Sequence, residues 1–387
     1  MKLKTFLRIP PVADCGVGYY RQWLPLKTAE DKKKLEMKCL NFSFGERNDE
    51  SGNAFKDPTV DEISKVVRWA DIMYYARNDV PQYIAEAGGV RDFYIETQQI
   101  YKPLVLDIDD NIHATRPYNP GYRSFHPNSM NNVWNVKSLG VFDALTVSTE
   151  NLKNWYSNHT DRPIYVCPNS LDWKERDDVL KMDFKNSDLF KKKPGEIRLG
   201  WTGSAAHWEN LKHIEPVIYK ILDNFPQTTF YLTGLFGDLF SNQKYIQEGR
   251  IVSTPWAKLK KWPILNREVN FDIALAPLCD NDFNRAKSNL RLLEYASAKF
   301  PVICSPVEPY KTFSNKEVVF ATEKDEWYDA IEDLIKNEDK RKNLSEALYT
   351  RAKKEYNIDK NYKIWLNALT EIYEKSQKAF KNSLKKR

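Results

Sequence analysis

Four short segments carry side chains whose types and spacing suit chemistry. The richest runs from Phe271 to Val302. An apolar stretch, Ile273-Ala-Leu-Ala-Pro277-Leu278, gives way to Asp282-Phe-Asn284-Arg285-Ala286-Lys287-Ser288-Asn289, and a helical pattern then leads to Glu294 and Tyr295. Two cations beside a helix N-terminus make a strong anion site, with Asn284, Ser288 and Asn289 as polar neighbours. Glu294 lies about two turns farther along, either as a ligand group or as a surface acid. The second segment is Leu199-Gly-Trp201-Thr202-Gly203-Ser204-Ala-Ala-His207. Gly203 and Ser204 sit where strand pattern turns to helix pattern, a standard place for a phosphate. His207 could donate to the same group; alternatively Ser204 is a helix cap and the histidine is incidental.

The third segment is Leu104-Val-Leu-Asp107-Ile108-Asp109-Asp110-Asn111-Ile112-His113. Three carboxylates leaving one buried strand repel each other and need a partner, unless Asp109 or Asp110 simply caps a helix. Beyond it, Tyr118-Asn119-Pro120-Gly121-Tyr122 reads as a rigid aromatic loop. The fourth segment, Pro10 to Arg21, contains Gly16-Val-Gly18. These glycines allow close backbone approach to a ligand, or form a plain turn. The third glycine of a dinucleotide fingerprint is missing.

Positioning these groups requires strands that end beneath them. Strand patterns fall at Thr5–Ile9, Cys39–Phe44, Ile72–Tyr75, Leu104–Ile108, Ala144–Val147 and Ile164–Val166, and again at Ile197–Trp201, Thr229–Thr233, Ile251–Ser253, Ile273–Ala276, Val302–Ser305 and Val318–Ala321. They are short and apolar without strict alternation, as strands buried on both faces of a parallel sheet are. Helical patterns separate them, one opening at Asp57-Pro58-Thr59. Residues 173–195, crowded with Lys and Asp, read as a linker. The chain is therefore expected to be α/β, with two doubly wound Rossmann-like domains facing a cleft. Their polar strand-end residues would meet the ligand.

The length of 387 residues exceeds one ordinary domain, and 42% hydrophobic residues exclude a disordered chain. The net charge of +6 suits phosphate-bearing ligands without singling out nucleic acid. No apolar run approaches the roughly 20 residues that span a bilayer. Arg8, Pro10 and Pro11 break the basic N-terminal stretch, so it does not read as a signal peptide. Five widely spaced cysteines form no CxxC, which indicates neither a zinc site nor a disulfide framework and fits a reducing cytoplasm.

Together these segments resemble the retaining glycosyltransferases of the GT-B fold, specifically family 4. The resemblance runs from Gly16-Val-Gly-Tyr-Tyr-Arg21 through Asp143–Ser148, Pro168-Asn169 and Leu232-Thr-Gly234 to the block 271–306. It implies an acceptor-side domain over 1–172, a nucleotide-sugar domain over 196–357 and a final helix, 358–387, packing back on the first domain. It implies transfer of a sugar from a nucleoside diphosphate, with UDP the expected nucleotide, to an acceptor hydroxyl with retention. Lys287 and Arg285 would stabilise the departing diphosphate, so no metal or other cofactor is required. Gly203, Ser204, His207, Asn284, Ser288 and Asn289 would line the donor site, and Glu294 would hold the ribose. The family pairs that glutamate with another eight positions earlier, seven residues lying between, where this chain has Ala286. Asp109 and Asp110 would act on the acceptor side, with Gly16, Gly18, Asp107, His113 and Tyr118 around the acceptor. The stretch 107–122 is similar to segments of phage and bacterial glycosyltransferase-like proteins, which implies a glycan or a modified DNA base as acceptor. Two other readings remain open: a non-catalytic nucleotide-sugar binder, because of Ala286, and a metal-dependent transferase using Asp107-Ile108-Asp109.

Overall fold

The computed structural model describes residues 2–8, 16–39, 60–76, 81–234 and 239–386. Pro10–Cys15, most of the expected strand Cys39–Phe44 and the expected cap Asp57-Pro58-Thr59 lie outside them. The chain forms two compact units. The first contains Met1–Asn111, Asn128–Ser170 and Ile358–Arg387; the second contains Ile112–Pro127 and Leu171–Asn357. Each holds one six-stranded, wholly parallel sheet.

The first sheet has β1 (Leu3–Arg8), β2 (Leu35–Cys39), β3 (Ile72–Ala76), β4 (Leu104–Ile108), β5 (Ala144–Val147) and β6 (Ile164–Val166), ordered 2-1-3-4-5-6. The second has β7 (Ile197–Gly203), β8 (Thr228–Gly234), β9 (Ile251–Thr254), β10 (Ile273–Ala276), β11 (Val302–Cys304) and β12 (Val319–Phe320), ordered 12-11-10-7-8-9. The order reverses between β7 and β10, and a doubly wound sheet opens a binding crevice at such a reversal. Strands β3, β4, β5 and β10 are buried throughout, which is why their sequences are unbroken apolar runs. Asp71, Asp143 and Asp272 repeat one device at strand starts. Each carboxylate accepts the N–H of the first or second residue of a neighbouring strand, from Lys4, Leu104 and Arg198, at 2.9, 2.8 and 2.7 Å.

Three expectations are corrected. Strand β2 begins four residues before the expected start, because an edge strand exposes one face. Leu35 is buried and the strand then alternates exposed with half-buried residues, a period-2 signal rather than an apolar run. Residues 173–195 are not a bare linker. Asp172 caps a helix, Trp173–Lys181, by accepting from the backbone N–H of Lys174 and Glu175. Trp173, Arg176 and Val179 bury one face of that helix, and the Trp173 indole donates to the Tyr356 carbonyl at 3.0 Å. Residues 112–127 belong to the second unit rather than the first.

The first unit is built around a buried ion pair. Arg21 lies in a π-helical turn, Tyr19–Trp23, and gives two hydrogen bonds to Asp107, Nε to Oδ2 at 3.1 Å and Nη2 to Oδ1 at 2.9 Å. Tyr74 and Thr146 donate to the same carboxylate, at 3.0 and 2.6 Å. Arg21 also donates to the Cys167 carbonyl and to Asn169. Burial disfavours the guanidinium charge, but Asp107, Tyr74 and Cys167 together offset it and the pKa rises. The last helix, Ile358–Leu384, closes over this pair: the Trp365 indole donates to the Arg21 carbonyl at 3.0 Å and its ring lies 5.5 Å from the guanidinium. Asp107→Ala is expected to reduce unfolding free energy by about 3–5 kcal/mol, since it leaves a buried charge unpaired. Arg21→Met combined with Asp107→Leu should recover most of that loss in urea titrations.

Candidate active site at the carboxyl ends of the second sheet

Two glycines lie side by side where β7 and β8 end. Gly203 and Gly234 are register partners. A Cβ on Gly234 would fall 1.8 Å from the Gly203 carbonyl oxygen, and one on Gly203 would fall 2.6 Å from the Trp201 ring. The close approach excludes side chains here and leaves backbone bare at the strand ends. Ser204 follows, exposed, before a short 3-10 turn, Ala205–His207.

Beyond β10, the helix Leu290–Ser297 packs through Leu292, Leu293, Tyr295 and Ala296. The Tyr295 hydroxyl accepts the Thr202 N–H at 3.0 Å and donates to the Leu275 carbonyl at 3.3 Å. That leaves Arg291 and Glu294 half-buried. Arg291 donates to the Thr202 carbonyl and lies over Trp201, 4.7 Å from the ring centre. The Trp262 indole donates to Glu294 Oε1 at 3.0 Å. Trp262 is stacked against Trp256, centroids 4.5 Å apart, and Trp256 is 40% exposed. Lys287 is half-buried, its ammonium 4.3 Å from the centre of the Phe283 ring.

His207 is buried beneath this cation pair, edge-on to Trp201. Burial, then the positive charges of Arg291 and Lys287, hold its pKa well below the ordinary histidine value. The ring is therefore neutral near pH 7. Its Nδ1 meets Asn210 Nδ2 at 3.1 Å.

Several expected ligands take other work. Arg285 is exposed and turned to the surface, held by Asp280 at 2.6 and 3.0 Å and by Asp282 at 3.4 Å. Asn284 is buried, and its amide donates to Asn210 Oδ1 and the Cys279 carbonyl, both at 2.8 Å. Asn289 is buried and donates to Thr312 at 3.0 Å. Ser288 is half-buried and accepts from the Leu290 N–H at 3.4 Å.

In the first unit, Asp107 is committed to Arg21, Tyr74 and Thr146, so a cation at Asp107-Ile108-Asp109 would have to displace a buried guanidinium. Asp109 and Asp110 follow β4 half-buried, and the Asp109 carbonyl accepts from the Ser148 hydroxyl at 3.0 Å. Gly16 and Gly18 lie in a helical turn; among the described residues a Cβ on Gly16 meets the Tyr20 ring at 3.8 Å, and Gly18 has ordinary helical angles. His113, half-buried, and Tyr118 belong to the second unit. There Tyr118 stacks on Trp208 at 4.7 Å and Arg116 pairs with Glu209, lining a small notch with Asn210 and Asn284.

Sequence reasoning missed Arg291, Asn210, Trp256 and Trp262. Arg291 had a signal: Lys287, Arg291 and Glu294 follow the i, i+4, i+7 spacing of one helical face. Trp256 and Trp262 lie outside the expected segments, and Asn210, three residues past His207, is joined to Cys279 and Asn284 only by folding.

Residues 239–367 match the family described as glycosyl transferase-like. No curated protein matches the chain in sequence. Among solved structures, Anabaena Alr3699/HepE in complex with UDP and glucose is 13% identical, with 96% of this chain and 100% of that chain covered at a TM-score of 0.61. An alpha-glucosyltransferase in complex with UDP-glucose and DNA containing an abasic site is 13% identical, with 96% and 99% covered at 0.62. The sucrose-phosphate synthase of Thermosynechococcus elongatus is 10% identical, with 98% and 100% covered at 0.57. At these identities the likeness is one of fold, and the fold is GT-B. The segment 239–367 is glycosyl transferase-like, and it lies within a chain whose fold is GT-B.

The unfolded chain protonates His207 near pH 6.5, whereas the folded chain resists protonation to a lower pH. Below about pH 6.5 the unfolded state thus binds more protons, and stability falls with pH until the folded pKa is passed. His207→Gln is expected to flatten this part of the slope in denaturant titrations between pH 7.5 and pH 5.

Proposed function

We propose that the protein transfers a sugar from a UDP-sugar to an acceptor hydroxyl with retention of configuration. One observation carries the reading: Arg291 bonds to the Thr202 carbonyl where bare backbone ends β7 and β8, and its charge and that of Lys287 act on a buried His207. Such a cluster suits a diphosphate whose negative charge grows as the sugar leaves. The bond broken joins the anomeric carbon to the diphosphate, and the bond formed joins it to the acceptor oxygen. The acceptor proton passes to the departing phosphate oxygen, so no protein nucleophile is needed. Charge stabilisation by fixed cations and N–H donors then lowers the barrier.

Trp256 offers an exposed ring for the base, and Glu294, oriented by Trp262, accepts from the ribose hydroxyls. UDP as the nucleotide is supported by the UDP complexes of two fold relatives. The acceptor is a glycan or a modified base in DNA; DNA appears with one of those relatives. Asp109 and Asp110 act on the acceptor. The anion-binding role first expected of Arg285 passes to Arg291, because Asp280 and Asp282 already neutralise Arg285.

Lys287→Ala is expected to lower sugar transfer at least about 100-fold with unfolding unchanged. Arg285→Ala should stay within about threefold of the native rate. Equal losses in both variants would place the diphosphate elsewhere. Trp256→Ala is expected to weaken UDP binding about tenfold or more in calorimetry, the usual worth of one base–aromatic stack. Asp110→Asn should keep UDP affinity and lose transfer, whereas unchanged transfer would return Asp110 to a capping role.

A further inference from the structure

Asn210 stands in the first turn of the helix Trp208–Asn224 and is 2% exposed. The Cys279 backbone N–H meets its Oδ1 at 2.9 Å. A backbone N–H only donates, so this atom is the amide oxygen. Asn284 donates to the same oxygen, and its own orientation is set by the Cys279 carbonyl. The remaining amide group, Asn210 Nδ2, faces His207 Nδ1 at 3.1 Å. An amide nitrogen is a donor and not an acceptor, so Nδ1 must carry the lone pair. Since the ring is neutral, its single proton sits on Nε2.

We propose that Asn210 is a positioning residue that holds His207 as a neutral Nε2–H donor for the leaving diphosphate. This rests on the donor-site reading above. The charged groups acting on the ring are Arg291 and Lys287. Glu209, one residue before Asn210, is paired with Arg116, and burial pushes the Cys279 thiol up to about 11, so it stays protonated. A ring that stays neutral between two cations gives one hydrogen bond throughout the reaction and releases no proton. Sequence inspection passes over Asn210, since Cys279 and Asn284, which fix its orientation, lie 69 and 74 residues away.

Asn210→Asp isolates this role. One carboxylate oxygen of the variant still accepts from Cys279 and Asn284, so the scaffold keeps its bonds. The other replaces a donor with an acceptor and requires a proton on His207 Nδ1. At high pH the neutral ring then carries its proton on Nδ1 and loses the Nε2 donor; at low pH the imidazolium has both. Native transfer is therefore expected to show no titration of His207 between pH 6 and 8.5. The N210D variant should lose at least about tenfold in turnover as pH rises through the new histidine pKa, with KM for the UDP-sugar changing less than kcat. Nitrogen-15 spectra of the native protein without ligand should show a protonated Nε2 and a bare Nδ1, and the variant should reverse this at high pH. A native proton on Nδ1, or a variant with the native pH profile, would overturn the proposal. Failure of UDP to bind the native protein in calorimetry would instead overturn the donor-site reading, because the tautomer is read without ligand.

Discussion

The carboxyl-end face of the second sheet depends on how Thr202 is held. Its backbone N–H donates to the Tyr295 hydroxyl, and its carbonyl accepts from Arg291. Both partners come from one helix, Leu290–Ser297, so β7 and that helix are bonded through side chains at the point where the sheet order reverses. Tyr295 also donates to the Leu275 carbonyl on β10, which ties the two strands flanking the reversal to a single buried oxygen. A phenol inside a core must have such partners, and here satisfying it sets the helix position. Arg291 and Glu294 then reach the strand ends because Leu292, Leu293 and Tyr295 occupy the packed face.

Arginines serve three different ends in this chain. Arg21 is buried against Asp107 and organises the first unit around a satisfied charge. Arg285 spends its fork on surface carboxylates, an arrangement worth little once solvent screens it. Arg291 bonds to a carbonyl and lies over an aromatic face, partners that do not neutralise its positive charge. Burial first, then that charge and Lys287, explain why His207 stays neutral. Ala286 fits this account: it is buried at 3% exposure, so no carboxylate offsets the cations from that position.

The two units differ in what their sheets place at the carboxyl ends. In the second, paired glycines strip side chains from β7 and β8, so backbone itself is presented. In the first, β4 ends in carboxylates, and the deepest of them is already consumed by Arg21. Asp109 and Asp110 follow it with half-buried side chains, so the chemistry assigned to this segment rests on them rather than on the DxD spacing.

Strands such as β4, β5 and β10 were legible to the residue in the sequence, because burial on both faces demands short unbroken apolar runs. Gly203 was placed for a similar reason: it is the last residue of β7, so chain geometry alone brings it to the strand end. Strand β2 and the helix Trp173–Lys181 were harder to read, since each buries one face only and carries few apolar residues to show it. What a charged side chain does was not legible at all. Arg21, Arg285 and Arg291 differ in their partners, and those partners lie 86, 5 and 89 residues away. The sequence by itself determined the sheets and the strand ends, through local periodicity. Only the tertiary structure decided which cations are neutralised by carboxylates, because charge is balanced by neighbours in space rather than along the chain.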